Sequence, residues 1–523
     1  MSKTIQIYDS TLRDGAQAQG ISFSINDKLK IVQILDALGF ARIEAGNPGS
    51  NPKDLEFFER VKSIRLRHAR IAAFGSTRRK NIAAAEDKNV LSLLDAGTDV
   101  VCVFGKSWDF HVTEVLSAAL DENLAMIYDT VKFFKERGKE VVFDAEHFYD
   151  GYKRNPEYAL KTLEAAAEAG ADSLALCETN GGAFPMEVYE ITKTVCDKFP
   201  LPIGVHCHND GGMAVANSVM GVQAGAASVQ GVFIGFGERC GNANLSTIIP
   251  NLQLKLGYKC IPQEQMHNLT SAAYAVAELS NVQLADGEPY VGRCAFAHKG
   301  GMHIDAVVKS RASYEHIEPE TVGNERRVLT SEVSGRSTIL KKIQDFDPDI
   351  TKDSKTAEAV LQTLKSMEHK GYQFEAAEAS FELLIRKQLG LYKPSFELLN
   401  LKIIGEQPYA QGQSVSAMIK VIVDGKTEMT AAEGDGPVNA LDKALRKALE
   451  VFYPELSSVH LTDYKVRVLD SRYATASAVR VLIESSDGEE SWGTIGVSPD
   501  IIEASWLALA DSIEYKLNKS TRP

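Results

Sequence analysis

Several common signals are missing from this chain, and each absence closes off a class of function. No apolar run approaches the roughly 20 residues that cross a bilayer. The start, M-S-K-T-I-Q-I-Y-D, lacks the basic-then-apolar pattern of a secretory leader, so a cytoplasmic location is expected. The cysteines (Cys102, Cys177, Cys196, Cys207, Cys240, Cys260 and Cys294) are odd in number and contain no C-x-x-C. They fit a reducing compartment with mostly inert thiols. A basic surplus is also lacking: the net charge of −13 argues against a general nucleic-acid or anionic-membrane surface. It leaves room for a local basic pocket that holds an anionic cofactor. No low-complexity tract interrupts the chain, and no G-x-G-x-x-G follows the first strand pattern, which removes the main support for dinucleotide binding.

What is present is a long soluble-type sequence, 523 residues with 44% hydrophobic and 24% charged, which implies two or three domains. Up to about residue 256, short apolar strands alternate with helix-period stretches. The predicted strands are 5–8, 42–45, 70–74, 100–104, 141–144, 173–176, 203–206 and 229–234. Helices are predicted over 25–38, 55–64, 112–137 and 159–169, among others. Eight such units in roughly 250 residues match a closed (β/α)8 TIM barrel better than an open doubly wound sheet.

Beyond the barrel, 263–279 and 357–370 carry helical periodicity, with an irregular Gly- and His-containing segment, 292–335, between them. From about 391, alternating runs at 396–404, 414–423 and 428–432 precede a helix at 437–452. The pattern then recurs at 464–469, 476–483 and 492–497 with a helix at 500–516. The expected organisation is therefore a catalytic barrel over 1–257, helical linker subdomains over 258–390, and an α+β regulatory or dimerisation domain over 391–523. That last domain is built from two βββα repeats, sheet covered by helix.

The chemistry collects where the barrel strands end, as it must in this architecture. His206 and His208, in P-I-G-V-H-C-H-N, are spaced to point the same way from a strand. Two imidazoles on one side are half of a divalent-metal site, although two histidines near a helix start also fit ordinary packing. The first strand leads to Arg13 and Asp14, and the second ends in Glu44, which is costly to bury unless paired. The fifth ends in Asp144, Glu146 and His147, and the sixth in Glu178, Thr179 and Asn180. The eighth leads to Glu238, Arg239 and Asn242. Asp14, the two histidines and an Asn carbonyl make a mixed oxygen and nitrogen donor set for a Lewis-acid ion, with Arg13 placed to steady an enolate or alkoxide.

Three motifs are recognisable: L-R-D-G-A-Q (12–17), H-C-H-N-D-G-G-M-A-V-A-N-S (206–218) and G-E-R-C-G-N-A-N-L (237–245). They resemble the signatures of the Claisen-condensing acyl-CoA synthases, the family of 2-isopropylmalate, homocitrate and citramalate synthases. The resemblance continues through A-F-A-H-K-G-G-M-H-I-D-A (295–306), S-Y-E-H-I (313–317) and the C-terminal repeats, so it covers essentially the whole chain. Ala16 departs from the Glu of many members, and G-G follows the histidine motif in place of L-G. The variants at 15–24, 47–54, 104–112 and 146–152 look like the branch that makes (R)-citramalate.

The resemblance implies metal ligands Asp14, His206, His208 and Asn242, and a catalytic set of Arg13, Glu146, His303 and Tyr314. Arg13, Glu44 and Thr179 would bind substrate. It implies a divalent ion (Mn²⁺, Mg²⁺, Zn²⁺ or Co²⁺), acetyl-CoA and pyruvate as substrates, and a homodimer inhibited by isoleucine. The implied reaction joins the acetyl methyl carbon to C2 of pyruvate and then hydrolyses the thioester, the first step of a threonine-independent isoleucine route. His303, with Glu146 assisting, is the expected proton carrier, and Tyr314 often comes from the partner subunit in this family. The alternative acceptor is 2-oxoisovalerate, with Phe74, Phe104 and Phe143 as candidate limits on pocket length. A barrel that cleaves acyl-CoA would not need the C-terminal domain, and a non-catalytic amino-acid sensor would not need these strand ends.

Overall fold

The structure is a computed structural model that describes residues 3–49, 52–298, 300–328, 343–344, 346, 350–351, 354–405, 415–469, 477–488 and 490–519. Ser50, Asn51 and Lys299 of the motifs above, and 329–335 of the irregular segment, lie outside the described residues. The chain divides into two compact units, one of residues 1–296 with 317–326 and one of 297–316 with 327–523.

The first unit is a closed parallel barrel. Its strands are β1 (Gln6–Asp9), β2 (Arg42–Glu44), β3 (Arg70–Ser76), β4 (Val100–Lys106), β5 (Glu140–Glu146), β6 (Ser173–Glu178), β7 (Ile203–Cys207) and β8 (Ser228–Gly231), and β8 pairs back onto β1. The strand period of two sorts their side chains. Ile7, Ile43, Val101, Val103, Phe143, Leu174, Leu176, Val205 and Val229 face the helices and form the main core. Tyr8, Ala72, Val100, Cys102, Val142 and Ala175 form a separate apolar cluster inside the barrel. Below that plug, Arg42 donates to Gln6 and, at 2.9 Å, to Glu140, which also pairs with Arg70. Above it, the interior turns polar.

Two elements differ from their predicted extents. The stretch 112–137 is not one helix: a turn at His111–Val115 is followed by Ser117 in the left-handed region (φ 50°), and the chain restarts as Leu120–Lys135. Strand β8 stops at Gly231 because the following loop folds back, with Val232 N–H donating to Ala243 and Ala243 N–H to Cys207. That fold-back brings Asn242 alongside His208 in an isolated bridge.

The second unit opens with a short parallel pair, β9 (Ala297–His298) and β10 (Arg327–Val328). Helices Gly301–Lys309, Lys355–His369 and Glu378–Gln388 follow in this part of the chain. Two antiparallel sheets come next, β11 (Glu397–Gly405), β12 (Val415–Val423) and β13 (Lys426–Gly434), then β14 (His460–Val468), β15 (Val479–Ser486) and β16 (Ser491–Ser498). Helices Pro437–Leu449 and Ile501–Lys519 complete the two βββα repeats expected from the sequence. The first of these helices buries Leu441, Ala444, Leu445 and Ala448 against Ile419, Val421 and Val423, an apolar stripe meeting alternate strand residues.

Candidate active site

Strand β1 delivers Asp9, whose carboxylate accepts from Thr11 N–H (2.9 Å) and Thr11 Oγ1 (2.7 Å) and closes a tight turn. Burial, opposed by those hydrogen bonds, pushes the Asp9 carboxyl up to about 7. The turn sets Arg13 and Asp14 at the mouth of the barrel. Arg13 Nε donates to Glu44 Oε1 (2.5 Å) and Nη1 to Asp14 Oδ2 (2.9 Å). Glu44, fully buried on β2, also accepts from Tyr8 Oη (2.7 Å), so the costly carboxylate is paired on both oxygens. The guanidinium lies 3.8 Å above the Phe74 ring centre, and Phe74 stacks on Phe104 (5.1 Å, 18°).

Strand β7 and the residue after it present both imidazoles to the same carboxylate. His206 Nε2 lies 3.3 Å and His208 Nε2 3.8 Å from Asp14 Oδ2, and Asn242 Nδ2 lies 3.3 and 3.5 Å from the two ring nitrogens. Gly237 keeps Asn242 in place by omission: a Cβ there would lie 2.0 Å from Asn242 Oδ1. All four residues are buried, and among the described residues Asp14 Oδ1 and Asn242 Oδ1 have no hydrogen-bond partner. Buried oxygens left without a proton donor are costly. The atoms that meet the two ring nitrogens are Asp14 Oδ2 and the Asn242 amide Nδ2, so an Asn242 carbonyl ligand requires that amide to be turned over. Charge gives the same answer: among the described residues, Asp14, Glu44 and Asp144 gather around one cation, Arg13. The donor set therefore fits a divalent ion of the oxygen- and nitrogen-tolerant kind.

The titration behaviour follows the packing. Burial raises the Asp14 carboxyl, but the Arg13 charge and the His206 hydrogen bond outweigh it and hold the group far below the usual range. Burial and then the neighbouring His206 push His208 down to about 4, so that imidazole is neutral at physiological pH. For His206, burial is outweighed by the Asp14 hydrogen bond and charge, which raise it.

The other expected residues fall in three places. Glu146, at the end of β5, pairs with Lys106 of β4 (2.5 Å). Thr179 accepts through Oγ1 from His147 N–H (2.9 Å), and its carbonyl accepts from Arg239, which also grips Asp210. Glu178 shapes the same loop by accepting from Gly182 and Ala183, while Asn180 donates to Asp150 and Glu238 is exposed. His303 and Tyr314 belong to the second unit, where their exposed rings stack at 4.1 Å. Phe143 faces outward into the helix layer, beside Gly105 and within the main core, so it does not limit the pocket. Sequence reading passed over Tyr8, Lys106 and Gln230. A polar Gln inside the apolar run S-V-Q-G-V was the one local signal for Gln230.

Comparison with known proteins places the sequence in a family. The HMGL-like family matches residues 4–276, the homocitrate synthase post-HMGL domain-like family 290–372, and the LeuA allosteric (dimerisation) domain 375–517. The (R)-citramalate synthase of Aquifex aeolicus is 52% identical over 521 residues, 99% of each chain. The chain belongs to the citramalate synthase family. The (R)-citramalate synthase of Geobacter sulfurreducens is also 52% identical, over 99% of this chain and 98% of that one. A probable 2-isopropylmalate synthase of Methanopyrus kandleri is more distant, at 32% over 98% of both. Membership of this family makes the barrel that of an acyl-transferring condensing enzyme. Among the described residues no helix is long and apolar enough to cross a membrane.

Proposed function

We propose that this chain condenses acetyl-CoA with pyruvate and hydrolyses the product thioester, releasing (R)-citramalate and CoA. The observation that carries this reading is the 44–52% identity to five (R)-citramalate synthases over 99% of the chain, against 28–32% for 2-isopropylmalate synthases. Asp14, His206, His208 and Asn242 would hold the divalent ion, which supplies Lewis-acid polarisation of the acceptor's keto group. Arg13 is oriented by Glu44 and by the Phe74 face, and among the described residues its Nη2 has no partner. It donates to the keto oxygen as charge builds there. Thr179 takes the acceptor carboxylate. Proton removal from the acetyl methyl group is assigned to His303, with Glu146 assisting, on the family resemblance of G-M-H-I-D; the S-Y-E-H-I resemblance adds Tyr314 to the catalytic set. The new carbon–carbon bond leaves an alkoxide that is protonated, and water then displaces CoA as its thiol.

The Phe74–Phe104 stack beside Arg13 supports a short acceptor such as pyruvate. We assign the C-terminal repeats to dimerisation and to feedback by isoleucine, a reading that the match to the LeuA allosteric (dimerisation) domain supports. The deciding experiment is an acceptor panel with acetyl-CoA, followed by thiol release, with and without isoleucine. Pyruvate should exceed 2-oxoisovalerate in kcat/KM, and isoleucine should inhibit. A preference for 2-oxoisovalerate would overturn the assignment.

A further inference from the structure

Behind the proposed ligands lies a buried chain of hydrogen bonds that crosses the barrel. His206 Nδ1 is 2.8 Å from Gln230 Oε1 on β8, and Gln230 Nε2 is 2.9 Å from Asp144 Oδ1 on β5. Gln230 and Asp144 are 1% and 2% exposed, so bulk water does not reach them. The order of donors in this chain follows from chemistry. A carboxylate only accepts, so the Gln230 amide must turn its NH2 toward Asp144. Its carbonyl oxygen then faces the imidazole, and the imidazole must offer an N–H at Nδ1. When His206 is neutral, as a metal ligand must be, its remaining lone pair is thereby placed on Nε2, the nitrogen that faces Asp14.

We propose that Gln230, oriented by Asp144, is a positioning residue that selects the metal-binding tautomer of His206. His208 has no such device among the described residues, where its buried Nδ1 finds no partner. The two histidines are therefore unequal, and His206 is the preorganised one. The relay rests on the assignment of Asp14, His206 and His208 as ligands.

The test is Mn²⁺ binding to the metal-stripped full-length protein by calorimetry, with thermal unfolding of the metal-free form as the folding control. Gln230→Leu should weaken binding by about 10- to 100-fold and, because it leaves the buried Asp144 carboxylate without its donor, should also lower the unfolding temperature of the metal-free protein. Gln230→Glu alone sets two carboxylates face to face and should also weaken it. The double variant Asp144→Asn/Gln230→Glu reverses the polarity of the outer pair but restores an acceptor toward His206, so it should return to near-native affinity. Native affinity in Gln230→Leu, or a double variant no better than Gln230→Glu, would overturn the relay. The comparison of Gln230→Glu with the double variant decides even if Gln230→Leu does not fold. Native protein that takes up no Mn²⁺ overturns ligands and relay together. Binding lost in His208→Ala but kept in Gln230→Leu overturns the relay alone.

Discussion

Three interactions converge on Asp14: Arg13, His206 and His208 all address its Oδ2, and among the described residues Oδ1 has no partner. Replacing it by Asn, or His206 by Ala, removes a charge or a lone pair that no neighbour can supply. Either change should cut thiol release with pyruvate by more than about a hundredfold, and chelation of the native enzyme should do the same, reversed by Mn²⁺. Turnover retained in metal-stripped protein would contradict the mechanism. A subtler change makes the same point from outside the ligand set. Gly237→Ala places a methyl group on Asn242 Oδ1. The expected result is weaker metal binding and a lower kcat with little change in the unfolding temperature, whereas Gly20→Ala, in open space but at positive φ, should affect stability only.

At the scale of elements, strands β3 and β4 supply the aromatic wall proposed to meet the acceptor. Phe74 and Phe104 sit on adjacent strands and stack, so removing one ring opens space that the other cannot fill. Phe104→Ala should move the pyruvate to 2-oxoisovalerate ratio of kcat/KM toward the branched acid by about 10- to 200-fold, the worth of a methylene or two in an apolar pocket. An unchanged ratio would place the acceptor elsewhere. The turn after β1 carries a pH signature. The Asp9 carboxyl is raised from 3.8 to about 7 by burial, so its contribution to stability is fully present below the unfolded value and is lost as pH rises through about 7. Urea unfolding of Asp9→Asn should therefore depend less on pH, losing about 1 kcal/mol less than the native protein between about pH 6 and about pH 8. Parallel pH curves for the two proteins would show that Asp9 ionises normally.

For the whole molecule, the C-terminal sheets carry the informative surface. Ile404, Met429, Val466 and Val468 are exposed large apolar side chains on β11, β13 and β14. If these faces dimerise, Val466→Lys/Val468→Lys should shift light-scattering mass toward the monomer and blunt isoleucine inhibition, leaving the barrel's fold intact. A variant with native mass would exclude these faces from the interface. Deleting the chain after about residue 390 is a poor way to remove feedback. Helix Glu378–Gln388 packs on Ile501–Lys519, with Ser380 donating to Asp511 (2.7 Å) and Arg386 to the Asn518 carbonyl (3.0 Å). Such a cut would strand the buried Phe381 and Ile385.

Much of this protein was legible in its order of residues, because the signals are local. Strand alternation and helix period marked out eight barrel units and two βββα repeats. The same period of two put His206 and His208 on one side, and polar residues directly after apolar runs marked the mouth. Local pattern failed where a contact from far along the chain intervened, as at β8, which ends where the 235–244 loop returns to pair with it. It also failed for partners. That Glu44 belongs to Arg13 and Tyr8, that Phe143 faces away while Phe74 faces in, and that Gln230 joins His206 to Asp144 depend on which strands become neighbours or face one another once the sheet closes. Closure and stagger are set by the packing of all eight strands together, so no short stretch records them. The residues that could bind a metal were written in the sequence; the tertiary structure alone decided which of them meet, and what holds them there.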